Sequence, residues 1–490
     1  MNYETIIGLE VHAQLITKSK MFCRCSADYA DAPPNTHVCP VCLGMPGVLP
    51  TINQQAIKYT IMTALALHCT ISEDTKFDRK NYPYPDLMKG YQISQYDAPI
   101  GHHGWLEIEV NGQEKKRVGI TRVHLEEDVA KLLHHTPPDG KPYSQVDVNR
   151  AGVPLMEVVG EPDLCSPEEA RQYLVKLRSI LQYLEVSTGN MEEGSFRCDA
   201  NISIRPENSP DSLAKVEVKN MNSFRAVYRA MEYEAQRQRK AAAEGRRLSQ
   251  ETRGWVEEKG KNVSQRSKEY AHDYRYFPEP DLPPLVLDRD WVEKIRAELP
   301  ELPEARRDRF MNEYNLPLYD ANLLTSSRAM AGYFETCLKT GIPRSLSPDK
   351  RAKAVSNWLL SEFSRMLNAT NTEIDNSKVS PEQLCQLLDL TQMDSISGPS
   401  AKKVFEEMFI TGRSASDIVS QLGLSQISDT QELEEVISQM ITANPQTVAD
   451  YEAGKTQALK FLVGQVMRST KGRANPKLVD EILKKKLEKG

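Results

Sequence analysis

The sequence predicts an α+β chain in which a part built around an antiparallel sheet precedes a part built only of helices. Three observations predict it. Phe196–Arg205 alternates without exception: Phe196, Cys198, Ala200, Ile202 and Ile204 share one face, and Arg197, Asp199, Asn201, Ser203 and Arg205 share the other. Leu106, Ile108 and Val110 alternate with Glu107 and Glu109 and run into Asn111-Gly112, a strong hairpin signal. Beyond residue 290 helix-period segments dominate, such as Val355–Leu367 and Glu432–Ile441, with Pro and Gly only between them.

The elements follow in order. Thr5–Leu15 is a β-type run. Asn53–Leu67 spaces Ile57, Ile61 and Leu65 for one helical face. A helix begins at Ser166, with Pro167 at its first position and Glu169 completing a capping box; Leu174, Leu177, Leu181 and Leu184 form its apolar stripe. The polar face of Phe196–Arg205 mixes a carboxylate, an amide and two guanidiniums, which suits the floor of a charged-ligand site as well as an ordinary wet face. Glu279–Pro284 is a stiff, proline-rich boundary. The expected domains are 1–290, with a cysteine loop at 23–42, then a helical domain 291–405 and a smaller helical tail 406–490. No internal repeat is visible.

Composition narrows the class. At 40% hydrophobic and 27% charged residues, the chain reads as globular. No run of about 18 apolar residues occurs, so no membrane span is expected. Met1–Gly8 lacks the basic and apolar regions of a secretory signal, which suggests a cytoplasmic chain. The net charge of −6 does not advertise nucleic-acid binding. Yet Lys455–Gly490 carries ten Lys/Arg against three Asp/Glu, enough for a local phosphate-binding patch or for a solvated helical end.

Four of the nine cysteines cluster as Cys23, Cys25, Cys39 and Cys42. Two close pairs fit tetrahedral thiolate coordination of Zn²⁺, with a redox pair or an empty site as alternatives. A four-sulfur site has no open position and would stabilise a loop. Cys69, Cys165, Cys198, Cys337 and Cys385 read as small buried apolar residues.

Acidic and imidazole groups recur in strand-like contexts. Glu10 and His12 are two apart and share a face. His124-Leu-Glu-Glu-Asp128 ends another strand. Glu157 sits in the mostly apolar run Val153–Val159, where a charge is costly unless paired or metal-bound. Hard carboxylates with one imidazole suit Mg²⁺ or Mn²⁺ carrying ATP phosphates, although each residue alone could be an ordinary surface charge. Neither a P-loop nor a Rossmann turn is present, nor a Gly-x-Ser-x-Gly nucleophile turn.

Ile7–His12, Phe77–Tyr82, Tyr91–Gln95, Met191–Ser195, Arg197–Ile202, Val218–Phe224 and Asp273–Asp281, with Phe461–Met467 and Lys471–Pro476 near the end, resemble blocks of the GatB/GatE family, the B subunits of the aspartyl/glutamyl-tRNA(Asn/Gln) amidotransferases. The resemblance spans essentially the whole chain. It implies a cradle similar to the glutamine synthetase and guanidino kinase fold, followed by a helical domain and a YqeY-like tail. It also implies an ATP- and Mg²⁺-dependent ligase that phosphorylates the side chain of Glu-tRNA(Gln) or Asp-tRNA(Asn). The A subunit, an amidase, would supply ammonia, and the small C subunit would complete the complex. By the same resemblance His12, Glu127 and Glu157 would hold Mg²⁺, Glu10 and Asp199 would support them, Lys80 would help guide ammonia, and zinc at the cysteines would vary within the family. Lys471 and Arg473 would contact tRNA. Arg197 and Arg205 enter as phosphate contacts from strand alternation alone. A non-catalytic tRNA-binding scaffold and a free-standing zinc-containing ligase are the competing readings.

Overall fold

The computed structural model describes residues 2–110, 114–137, 140–207, 209, 211–267, 274–424, 430–452, 455–470, 474 and 476–487. The chain divides into two compact units, Met1–Leu302 and Pro303–Gly490.

Among the described residues the first unit contains sixteen strands: β1 (Tyr3–Gln14), β2 (Thr70–Ile71), β3 (Asp74–Thr75), β4 (Asp78–Asn81), β5 (Tyr91–Ser94), β6 (Gly101–Val110), β7 (Glu114–Glu127), β8 (Lys131–His135), β9 (Tyr143–Asp147), β10 (Pro154–Gly160), β11 (Phe196–Pro206), β12 (Val216–Lys219), β13 (Glu251–Val256), β14 (Lys261–Ser267), β15 (Phe277–Pro278) and β16 (Leu285–Val286). Its principal helices are α1 (Gln54–Ala66), α2 (Pro167–Tyr183), α3 (Phe224–Ala243) and α4 (Arg289–Glu298). Twelve strands form one sheet in the order β14-β13-β12-β11-β1-β10-β7-β5-β4-β15, with β6 beside β7 and β2 beside β6. Among the described residues its pairings are antiparallel except β12 with β13, whose connection runs through α3; a parallel pair needs such a crossover.

The sheet is amphipathic because its strands alternate. Ile7, Leu9, Val11 and Ala13 of β1, Leu125 of β7, Met156 and Val158 of β10, and Phe196, Cys198, Ala200 and Ile202 of β11 face one way and are buried with α1, α2 and α3. The expected alternation of Phe196–Arg205 is realised residue by residue. The opposite face carries Glu10, His12, Gln14, Glu157, Arg197, Asp199 and Asn201 and is largely half-open. The expected Asn111-Gly112 turn lies outside the described residues, but β6 and β7 pair from Gly101↔Val123 to Val110↔Glu114 on either side of it.

Helix ends follow local chemistry. Asn53 caps α1, accepting from the N–H groups of Gln55 and Ala56. Ser166 Oγ accepts from Glu169 N–H at 3.2 Å. The return bond of the predicted capping box lands one residue earlier: Glu169 Oε2 accepts from Cys165 N–H at 2.9 Å and from Lys116 Nζ at 2.7 Å.

The expected boundary at 290 falls within α4, whose Val292 and Ile295 pack in the core of the first unit. The second unit is helical and holds two apolar clusters, one from Phe310 to Val419 and one from Leu433 to Leu487. The expected boundary at 405 falls inside the helix Gly398–Thr411. Phe405, Met408, Phe409, Ile418 and Val419 all pack in the first of these clusters, because the apolar stripe continues past residue 405. No helix among the described residues is long and apolar enough to cross a membrane.

Leu174 is fully buried between α2 and the sheet. Leu174→Ala should destabilise the first unit by about 2–5 kcal/mol, read as a lowered urea midpoint with an unchanged slope.

Candidate active site and thiol cluster

Register sets the polar face. Across four neighbouring strands Arg197 pairs with His12, His12 with Glu157, and Glu157 with His124. The next row runs Asp199, Glu10, Val159, Arg122. On the other side of the first row Gln14 opposes Leu155, which opposes Glu126.

His12 Nε2 lies 3.6 Å from Glu126 Oε1 and 3.6 Å from Glu157 Oε2. One ligand atom from each of the three lies within 4.8 Å of the others. The 3.6 Å separations lie within the span of about 4.2 Å that two metal–ligand bonds of about 2.1 Å can bridge, so the group could hold a hard divalent ion. Glu126 and Glu157 are buried and His12 is half-buried. Burial works against the charge on Glu157. The His124 and His12 imidazoles, with Lys80 further off, nevertheless hold its carboxyl well below the usual range. His124 is the closer partner, with Nε2 3.2 Å from Glu157 Oε2. An ionised carboxylate is the form a metal ligand requires.

The structure brings His12 and Glu157 together with Glu126; Glu127 goes elsewhere. The two glutamates are neighbours on β7 and point to opposite faces. Glu127 Oε1 is occupied by Lys89 Nζ and by the N–H of Ile93 at 3.0 Å. The sequence put His124–Asp128 among the candidates but singled out Glu127 in place of His124 and Glu126, and it did not single out Lys219. The parity of β7, which puts His124 and Glu126 on one side, was the available signal for both.

The other expected residues have specific partners. Glu10 Oε1 accepts from Asn201 Nδ2 at 2.8 Å. Asp199 Oδ2 accepts from Lys219 Nζ at 2.7 Å. Arg197 Nη2 donates to Asp128 Oδ2 at 2.8 Å. Burial opposes the charge on Asp128, but Arg197 and Arg150 hold its carboxyl below the ordinary range. Arg205 pairs with Glu4 at 2.7 Å. It lies eight residues from Arg197 on the same strand, roughly 27 Å away, and takes no part in the cluster. Lys80 is half-buried on the side of the sheet that carries the triad, with Nζ 5.1 Å from the Tyr274 ring centroid. Burial disfavours its ammonium, but the fields of Glu126, Tyr276 and Glu157 raise its pKa above the ordinary value. Tyr82, Tyr274, Tyr276 and Tyr96 form a chain of ring contacts around it, with Tyr276 and Tyr96 stacked at 4.1 Å.

The sulfurs of Cys23, Cys25, Cys39 and Cys42 form a second cluster, each within 4.8 Å of the others. Cys39 and Cys42 Sγ are 3.9 Å apart, close to the separation of about 3.8 Å that four Zn–S bonds of about 2.3 Å impose. Contact with Cys23 and the nearby Lys20 ammonium bring Cys42 down to about 5 despite burial, while burial and its neighbours push Cys25 up to about 11. Lys20 is itself buried, donating to the His37 carbonyl at 2.8 Å. The four thiols can therefore hold a metal ion. Of the scattered cysteines, Cys69, Cys198, Cys337 and Cys385 are buried as expected, whereas Cys165 is exposed, because it precedes the α2 cap. Lys471 and Arg473 lie outside the described residues. In the last helix Lys484 pairs with Asp480, and Lys486 pairs with Glu434.

Glu126→Gln should weaken Mn²⁺ binding by roughly 10-fold or more, measured by titration, whereas Glu127→Gln should leave it within about twofold.

Comparison with known proteins places these residues in context. The family described as GatB/GatE catalytic domain matches residues 5–293, and the family described as GatB domain matches residues 333–487. A protein of Dehalococcoides mccartyi is 60% identical over 490 residues, covering 100% of this chain and 99% of its own length. One of Moorella thermoacetica is 55% identical over 487 residues, covering 99% of this chain and 100% of its own. Both are named as the B subunit of aspartyl/glutamyl-tRNA(Asn/Gln) amidotransferase.

Proposed function

The chain belongs to the GatB/GatE family, and from that premise we propose that it is the B subunit of a cytoplasmic, glutamine-dependent ligase that converts Glu-tRNA(Gln), Asp-tRNA(Asn) or both to their amidated forms. It would work with the amidase, or A, subunit and with the small C subunit. The observation that carries the catalytic reading is the triad of His12, Glu126 and Glu157, gathered on the polar sheet face with both carboxylates buried.

A carboxylate is a poor electrophile, and phosphorylation by ATP gives it a leaving group. Phosphoryl transfer needs mainly positioning and neutralisation of charge. Mg²⁺ held by the triad would supply that neutralisation at the phosphate oxygens. His124 keeps the Glu157 carboxylate turned toward the triad. Glu10 and Asp199, one row away, flank the place where the phosphates would lie. Lys80, kept as an ammonium by its acidic neighbours, tempers the negative charge, a role that fits it better than carrying ammonia as a base. Arg197 braces Asp128, and Glu127 is excluded from the metal site in favour of Glu126.

The sheet with helices on one face and an open charged face supports a cradle of the glutamine synthetase and guanidino kinase type. Residues beyond Val419 would form the YqeY-like tail, with Lys471 and Arg473 meeting tRNA phosphates through shape and charge. The four cysteines would hold a structural zinc that braces the loop at 23–42.

In the co-purified complex, Glu157→Gln should slow ATP-dependent phosphorylation of the misacylated tRNA by roughly 100-fold or more, with glutamine hydrolysis by the amidase intact. Unchanged phosphorylation would instead favour a tRNA-binding scaffold. Both tRNA substrates are to be assayed. Metal analysis should find zinc in the parent protein and lose it in Cys42→Ser, with the Glu157→Gln variant retaining it.

A further inference from the structure

Most cations on the polar face are spoken for. Arg197 and Arg150 lie against Asp128, at 2.8 and 3.6 Å. Lys219 is held by Asp199 and Glu217. Two lack such a partner among the described residues: Lys80, whose ammonium lies against the Tyr274 ring, and Arg122. Among the described residues no carboxylate lies within ion-pair distance of Arg122, and its guanidinium carbon sits 6.0 Å from the Tyr96 ring centroid. Its Nε is buried without a hydrogen-bond partner. A guanidinium left half-buried with no counter-ion is unfavourable, and such an orphan calls for a ligand.

Its place says which ligand. Arg122 lies two residues from His124 and four from Glu126 on β7, so all three project from one face. It closes the row Asp199, Glu10, Val159, Arg122. At about 4.8 Å per strand, its Cα is about 10 Å across the sheet from that of Glu10. Acidic groups thus occupy one end of the row and an unpaired cation the other. The register slips beside it: Val159 opposes Arg122 but Gly160 opposes Ile120, leaving Thr121 as an extra residue. A bulge of this kind sharpens twist and re-aims neighbouring side chains. Close by, His124 Nδ1 is also buried and unpartnered.

We propose that Arg122 is a further catalytic residue, whose guanidinium binds the oxygens of the phosphoryl group in transfer. The inference rests on the reading under Proposed function. In the step it serves, a carboxylate oxygen of the aminoacyl side chain forms a bond to the terminal phosphorus of ATP. The bond from that phosphorus to the bridging oxygen breaks, and ADP leaves with the electron pair. No proton moves. Two parallel N–H donors of a guanidinium match two phosphoryl oxygens and meet the charge as it spreads over them.

The test uses the full three-subunit complex with Arg122→Ala and Arg122→Lys. Arg122→Ala should slow single-turnover phosphorylation by roughly 10³-fold, and added guanidine should restore roughly 10-fold or more, while Mn²⁺ binding and the KM for tRNA stay within about twofold. Arg122→Lys, should the alanine variant not fold, is expected to lose about 10-fold or more with an unchanged circular dichroism spectrum. Phosphorylation within about threefold of the parent in a folded variant overturns the assignment. So does an effect confined to the KM for tRNA, which would place a tRNA phosphate there, or a loss that guanidine does not relieve. Glu157→Gln run alongside separates the two claims. If that variant phosphorylates normally, the catalytic reading of the whole face fails; if it is inactive and Arg122→Ala is active, only the role of Arg122 fails.

Discussion

The charge on Glu157 is the constraint around which the first unit is organised. It sits on β10, where Pro154 through Val158 are all buried. A lone carboxylate there would give up its charge or unfold its surroundings. Two imidazoles prevent both outcomes, one from each adjoining strand: His12 on β1 and His124 on β7 are its direct register partners. That pairing ties the three central strands to one register. A slip of one residue would put His12 among the helices and bury the charge without relief.

From that row the division of labour across the sheet follows. One face is spent on cohesion, with α1, α2 and α3 seated on Ile7, Leu9, Val158 and Ala200. The other is left for chemistry, and its charges are arranged in short opposed sets. Asp128 takes Arg197, Arg150 and Gln14. Asp199 takes Lys219. Such pairs contribute little net stability, but they fix side-chain directions. They also leave the triad surplus in negative charge, which is what a divalent cation requires. The thiol cluster, built on a separate loop, does an unrelated job with soft ligands.

Much of this was legible in the text of the chain. The strict alternation of β11, the cap at Ser166 and the cysteine spacing are local signals, and local structure honours them. The misses share a cause: each depends on residues distant in sequence. The parity of β7 separates Glu126 from Glu127, but which of the two faces meets His12 is set by a strand far away in sequence. Arg197 looked free because Asp128, its partner, is 69 positions away. The boundary near 290 looked sharp because Glu279–Pro284 is proline-rich, yet α4 returns its Val292 and Ile295 to the first core.

The end of the sheet has a consequence for biosynthesis. β15 pairs with β4, Phe277 against Arg79, and the Arg79 Nε bond to buried Glu279 at 2.7 Å fastens that edge. A nascent chain emerges from the ribosome in order, so the segment beside Lys80 stays unclasped until nearly three hundred residues have been made. Closing so large a loop is slow. The aromatic surroundings of Lys80 therefore come together late in synthesis, after the central rows around Glu157 are already available to pair.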